Sequence, residues 1–505
     1  MRNFKIYKLK WIFLSLIFWS IVFLKIPSEF LDFGGDSAQY IILAESLAKG
    51  LGYRAINYPN SPFFYHYPPG FPLILSFVVK FFGRNFYLMH ILIAFLGYLS
   101  IIFSYHLFKK YTDQNLAFII VLLMSCNWVF LHYSSQRILS DVPYLLFSIL
   151  FLFFISGYID KREAVNREGV LAVLILIVCY FIRYVGLVLF VAAIISLLFY
   201  NLSLRVKFKK IIFISLVFLF PFFVWQITLR KLNPLSVLNY SKQFFLIDPY
   251  RPYLGTLFEN PRFIFFRIIE GINYYYQMIA KSLFLYFIKK TNFLREILPL
   301  ISLILIFIGV YKHTSAKKNY LFFFYFFIYF LLIAFWPYRE GVRFLIPILP
   351  FLYFYLVIGI NKVFKKLPPQ IFYFVIVFLF IFNLHSSFSL KKISHKNLPS
   401  SLKHFFSLHS WINKNLPKKG IIISRKPTVT YFFTQHKSII YPFSSPEKIW
   451  EKIKKEKVKY IIIDEFSRET YYYLLPFIYK YRKNLKLLYR IGNTGIFKVL
   501  LEGYD

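Results

Sequence analysis

The chain of 505 residues is 58 % hydrophobic and 23 % aromatic, with a mean hydropathy of +0.57, which excludes a soluble globule. Its 61 Lys and Arg outnumber 22 Asp and Glu, but the cations sit in short loops between apolar runs and in a Lys-rich C-terminal part. That placement fits topology signals and anionic-lipid contact, and no nucleic-acid partner is expected. Cys126 and Cys179 fall inside apolar runs, so neither a disulfide framework nor a thiol metal site is expected. A polytopic α-helical membrane protein follows, because a segment in lipid must satisfy its own backbone hydrogen bonds.

Met1 to Lys10 is basic and leads into the apolar Trp11–Leu24 without a small-residue cleavage site, which predicts an uncleaved first span. Spans are expected near 11–26, 86–108, 116–132, 142–158, 169–183, 185–200, 210–229, 296–312, 319–336, 343–361 and 371–386, about eleven in all. With the N-terminus cytoplasmic, the inner loops hold Lys109-Lys110, Lys161-Arg162 with Arg167, Arg205 with Lys207 and Lys209-Lys210, Lys317-Lys318, and Lys365-Lys366. The opposite turns, 133–141, 183–185 and 337–342, carry few basic residues, as the positive-inside rule requires. Two apolar stretches then do not span. Phe71–Phe82 is too short and follows Pro68-Pro69-Gly70, so it is expected as an interfacial or re-entrant helix. Ile272–Ile288 contains Tyr274-Tyr275-Tyr276 and Lys281, and counting it would invert every later loop.

From about residue 390 the composition turns basic and polar, and short β-type runs alternate with helical ones. Strands are expected at Ile421–Ile423, Ser438–Tyr441, Tyr460–Ile463, Leu485–Ile491 and Ile496–Val499, the last two joined by a hairpin through Gly492-Asn493-Thr494-Gly495. Helices are expected at Thr428–Gln435 and Pro446–Glu456. The chain thus divides into a membrane module, 1–390, and a small extracytoplasmic α/β domain, 391–505.

The unusual polar residues fall on the outer side. Asp32 and Asp36 lie in the first outer loop, Arg137 and Asp141 flank the next outer turn, and Arg183-Tyr184 and Tyr338-Arg339-Glu340 with Arg343 occupy later ones. Carboxylates and arginines at helix ends facing one compartment suit a base acting on a hydroxyl and cations holding a phosphate. Structural roles compete. Asp36 with Gln39 matches a capping box, and Arg137 with Asp141 matches a helical ion pair. Each arginine alone could anchor at lipid headgroups, and Glu340 could be a local partner for one of them. His66, in the run Phe64 to Gly70, is expected as an interfacial residue, since no second His stands at ligand spacing.

In order, Asp36, Tyr40, Ala44, Leu47, Gly50, Gly52 and Tyr53, then Tyr67-Pro68-Pro69-Gly70 before an apolar run, resemble the GT-C glycosyltransferases. Within them the similarity is to bacterial protein-mannosyltransferase-like and aminoarabinose-transferase-like enzymes. Ser134-Ser135-Gln136-Arg137 with Asp141 resembles their second outer turn, and Arg343, Pro347 and Pro350 their late arginine and proline segment. The resemblance covers about residues 1–465. It implies a polyprenyl-phosphate-linked sugar donor, an envelope lipid, glycan or protein as acceptor, and Asp36 as the catalytic carboxylate in an inverting displacement. Asp32 would be a second carboxylate. Arg339, Arg343 and Arg183 would bind the donor phosphate, with Arg137, Asp141, Tyr184, Tyr338, Tyr67 and His66 in support. Eukaryotic-type protein mannosyltransferases carry Asp-Glu where this chain has Asp36-Ser37, which leaves a divalent metal cofactor open, without a clear ligand set. The loop 230–270, with Asn233-Pro234 and Asp248-Pro249-Tyr250-Arg251-Pro252, is an expected acceptor lid.

Two other classes fit a polytopic chain, a lipid or glycan transporter and a non-catalytic membrane scaffold. Against the transporter stand the lack of an inverted repeat and the gathering of ionisable residues at one face.

Overall fold

The structure is a computed structural model and describes residues 2–32, 34–232, 240–288, 292–315 and 320–500. Asn233-Pro234 and Lys317-Lys318 lie outside the described residues. Up to Ser389 the regular elements are helical, apart from isolated strand bridges. Six helical segments among the described residues are long and apolar enough to cross a bilayer: Phe86–Phe108, Asp141–Asp160, Leu204–Lys231, Glu296–Thr314, Gly341–Phe364 and Pro369–Ser389. The bent pair Gln114–Ser125 and Trp128–Ser135 makes a seventh.

Among the described residues, length and composition thus give six such helices, or seven with the bent pair, and do not confirm the expected count of about eleven. Arg167–Ile182, Leu187–Phe199 and Tyr320–Phe335 have 16, 13 and 16 residues. At about 1.5 Å per residue none reaches the roughly 30 Å of a hydrocarbon core. Gly70–Phe82, at 13 residues, is a separate short helix. Ile272–Ile288 is the second half of a 27-residue helix, Arg262–Ile288, with a kink at Phe284.

The expected single span 116–132 is broken, and Asn127 is the reason. Its side-chain oxygen accepts from the N–H groups of Val129 and Phe130, capping a new helix. Its amide donates to the Ser282 carbonyl, the Tyr353 hydroxyl and Asn383 Oδ1 at 2.8, 2.8 and 3.2 Å. One buried asparagine thus ends one helix, starts the next and ties both to three other elements. A close approach of backbones fastens the later helices. Cβ atoms built on Gly309 and Gly359 would lie 1.9 Å from the carbonyl oxygens of Tyr355 and Leu305 respectively. Only glycine allows that contact between Asn292–Thr314 and Leu349–Phe364.

The C-terminal region forms one five-stranded sheet. Its strands are β1 (Ile421–Ile423), β2 (Ser438–Ile439), β3 (Val458–Ile463), β4 (Leu485–Ile491) and β5 (Thr494–Val499), in the order β2-β1-β3-β5-β4. The first three run parallel, and β5 is antiparallel to both neighbours. Both faces are covered: Ile422 and Ile462 pack with Phe405 and Leu408, while Ile423 and Ile461 pack with Ile449 and Phe477. Burial on two sides explains why β1 and the Tyr460–Ile463 part of β3 are continuous apolar runs instead of alternating ones.

This domain rests on the loop and helix that follow the first helix, Arg2–Lys25. The Ser438 N–H donates to the Asn57 carbonyl at 2.9 Å, and the Thr428 hydroxyl donates to Gln39 Oε1 at 3.2 Å. Phe30 packs between Phe86 and Phe432, with centroids 4.7 and 4.6 Å away. The loop that carries Asp36 is thereby held from both sides.

Candidate active site

The loop from Pro27 turns at Gly35 (φ +98°) into the helix Asp36–Ala48. Asp36 is therefore the first helical residue, and the cap position belongs to Gly35. The capping-box expectation fails, and Asp32 shows why. Asp32 Oδ1 accepts from the N–H groups of Gly34 and Gly35 at 3.1 and 3.2 Å, and Oδ2 from Ala38 at 2.7 Å. With Asp32 occupying these donors, the Asp36 carboxylate is free to face away from the helix end. Asp32 is 4 % exposed and committed to backbone, so its expected place as a second carboxylate of the site is corrected. Burial raises its pKa, against the Ala38 hydrogen bond and the charge of Arg137.

Asp36 Oδ2 accepts from Arg343 Nη1 at 2.7 Å, and Oδ1 from the Tyr67 hydroxyl at 2.8 Å. Arg343 reaches across the fold with a second donor, Nε, to Asp141 Oδ2 at 3.0 Å. Asp141 Oδ1 accepts from Arg183 Nη1 at 2.5 Å. Glu340 Oε2 stands 3.6 Å from Arg343 Nη1. The second carboxylate of the cluster is thus Asp141. Its side chain is 1 % exposed, whereas that of Asp36 is 34 % exposed. A carboxylate as buried as Asp141 requires its two arginines, since removing one partner of a buried pair costs about 3–5 kcal/mol. Asp36 keeps an open side. Burial pushes its pKa up, but the Arg343 charge and hydrogen bond and the Tyr67 hydroxyl outweigh that and hold it below the usual carboxylate value. Glu340 is displaced upward, first by burial, with Asp36 and Asp141 adding and Arg343 opposing.

Arg343 lies in a tight 3-10 segment, Gly341–Ile348, which begins at Gly341 (φ +64°). Arg339, four residues earlier, faces elsewhere. Its Nη1 donates to the carbonyls of Ala334 and Trp336 at 2.9 Å, and Nη2 to that of Arg267 at 3.1 Å. The expectation that Arg339 binds phosphate is corrected: its donors satisfy the carbonyls at a helix end, which need partners. The expected helical pair of Arg137 and Asp141 also fails. Arg137 follows the helix Trp128–Ser135 and its cap Gln136, and its Nε lies 3.4 Å from His132 Nε2.

The remaining candidates frame the cluster. The Tyr184 hydroxyl accepts from Trp225 Nε1 at 3.2 Å and donates to the Tyr65 carbonyl at 3.3 Å, buttressing the loop that carries Tyr67. His66 packs on the Tyr67 ring at 5.3 Å, and burial pushes its pKa down to about 4, so it is neutral at neutral pH. Tyr338 donates to Gln243 Oε1 at 3.3 Å and meets Tyr250 edge-on. In the expected lid, Arg251 pairs with Asp248 at 2.8 Å, and the Tyr250 carbonyl accepts from Tyr473 of the C-terminal domain. Among the described residues no group of three His, Cys, Asp or Glu is placed to hold a metal ion. The Arg343 guanidinium lies between Asp36 and Asp141 and pairs with both.

Three neighbours, Tyr40, Ser140 and Lys426, received no site role from the sequence. The Tyr40 hydroxyl lies 3.0 Å from Ser140 Oγ, beside Arg183. Tyr40 sits one helical turn after Asp36, a spacing that could have linked them. Lys426, from the C-terminal domain, donates to the Gly34 carbonyl at 3.1 Å. Nothing in a Lys-rich tail distinguishes it.

Residues 66–225, about a third of the chain, match the family model described as dolichyl-phosphate-mannose-protein mannosyltransferase. No curated protein matches the chain in sequence. The fold is similar to that of ArnT from Cupriavidus metallidurans bound to undecaprenyl phosphate, at 10 % identity, with 98 % of each chain covered and a TM-score of 0.61. It is also similar to the Archaeoglobus fulgidus oligosaccharyltransferase in complex with Zn and sulfate, at 13 % identity and a TM-score of 0.59, over 97 % of this chain and 72 % of that one. A complex of the oligosaccharyltransferase AglB from Archaeoglobus fulgidus with an inhibitory peptide and a dolichol-phosphate aligns at 12 % identity and 0.60, over 99 % and 75 %. The chain is a multi-pass membrane protein that shares the fold of these enzymes.

Proposed function

We propose that this protein transfers a sugar from a polyprenyl-phosphate donor to a hydroxyl or amine acceptor on the outer face of the plasma membrane. Asp36 accepts the acceptor's proton as general base while the acceptor displaces the lipid phosphate in one inverting step. The observation that carries this reading is the half-open Asp36 carboxylate, aligned by Tyr67 and by an Arg343 that the buried Asp141 holds in place. A base held below its ordinary pKa by a cation is ionised at neutral pH and ready to take a proton. Arg343 and Arg183, fixed by Asp141, are the side chains nearest to hand for charge developing on the leaving phosphate, and planar guanidinium forks suit that task. The N-terminus is cytoplasmic in this reading, and the C-terminal domain lies outside, where it covers the site and meets the acceptor.

Membranes containing the protein, given a polyprenyl-phosphate sugar and envelope acceptors, should show sugar transfer that Asp36→Asn reduces by about 100-fold or more at normal expression. Unchanged transfer by that variant would remove Asp36 from the chemistry.

A further inference from the structure

The carboxylates around Arg343 set a problem for anion binding. Asp36, Asp141 and Glu340 all lie against Arg343, and Arg183 is the only other cation paired within that cluster among the described residues. Two arginines facing three carboxylates leave no surplus positive charge for a phosphate. Arg339 cannot supply it, because backbone carbonyls take its donors. Arg425 pairs with Glu469 at 3.2 Å.

Lys426 differs from all of these. It is the residue before the helix Pro427–Thr434, which packs on the loop at Gly35 and Gln39. Its ammonium has one hydrogen bond among the described residues, to the Gly34 carbonyl, two residues before Asp36. A lysine ammonium has three donors, so two remain for a ligand. Its charge acts on both Asp36 and Glu340, and its bond to Gly34 sets it beside the loop that leads into Asp36. Burial lowers its pKa, with the Arg425 charge adding and those of Asp36, Asp32 and Asp464 opposing.

We propose that the Lys426 ammonium, delivered by the C-terminal domain, binds the phosphate of the lipid-linked donor and completes a site that the membrane module leaves short of positive charge. This rests on the function proposed above. It also makes the soluble domain part of the donor site, so the two modules act on one substrate.

The test uses the full chain in nanodiscs of zwitterionic lipid, titrated with undecaprenyl phosphate, with undecaprenol and with inorganic phosphate. The wild type should bind undecaprenyl phosphate more tightly than undecaprenol. Lys426→Gln should weaken undecaprenyl phosphate at least about tenfold, the loss of one charge-assisted hydrogen bond, and leave undecaprenol unchanged. Lys426→Arg should keep affinity within about threefold, and it carries the comparison if the glutamine variant does not fold; a tenfold loss there overturns the proposal. Equal affinity of wild type and Lys426→Gln for undecaprenyl phosphate also overturns it, while leaving the proposed function standing. No preference of the wild type for the phosphate over the alcohol would overturn both. Inorganic phosphate bound as tightly as the lipid would assign Lys426 to a free anion and overturn the donor assignment.

Discussion

Asp32 and Asp36 stand four residues apart, and so do Arg339 and Arg343. In each pair the first residue serves the backbone and the second meets charged side chains. Asp32 accepts from three N–H groups at the start of a helix, and Arg339 donates to carbonyls near the end of another. Asp36 and Arg343 meet each other at 2.7 Å, from regions 307 residues apart. The structural member of each pair releases the other. Without Asp32 the helix donors would attract Asp36, and without Arg339 the carbonyls of the 333–336 turn would attract nearby donors.

The comparison can be broken by substitution, and Asp36→Asn against Asp32→Ala carries the largest contrast. The first should abolish transfer by protein that is still folded, a loss far beyond any change in stability. The second should lower stability by about 0.5–2 kcal/mol, the usual cost of losing a helix cap, with activity falling only in proportion to folded protein. Equal losses of specific activity would merge the two roles.

Arg343→Ala should reduce kcat/KM about 100-fold, the order seen when a group stabilising developing charge is removed, and Arg343→Lys should not restore it. A lysine cannot reach Asp36 and Asp141 with two fixed donors. Arg339→Ala should leave donor saturation unchanged and cost about 1–3 kcal/mol of stability, because buried carbonyls lose their donors. A raised KM for donor in Arg339→Ala would return that residue to the site.

The smallest effect concerns pH. The Asp36 pKa lies below its unfolded value, so its ion pair stabilises the fold above the unfolded pKa and loses that contribution as pH falls through the folded one. Tyr67→Phe removes one of the hydrogen bonds that lower it. The acid limb of the kcat/KM profile should therefore move to higher pH, and a profile that does not move would detach Tyr67 from Asp36.

The sequence by itself determined the membrane class, the position of the polar residues at helix ends and much of the C-terminal strand pattern, because hydropathy and β-branched runs are local signals. It could not separate Asp32 from Asp36 or Arg339 from Arg343. Spacing records which residues share a neighbourhood along the chain, whereas function here depends on which donors and acceptors remain after the backbone is satisfied. That remainder exists only once Gly35 turns the loop, Asn127 breaks a helix, and Arg343 crosses to Asp141. The approach of Lys426 to Gly34, 392 residues away, is likewise a product of domain docking. Local chemistry supplied the candidates, and tertiary contact decided which of them face one another.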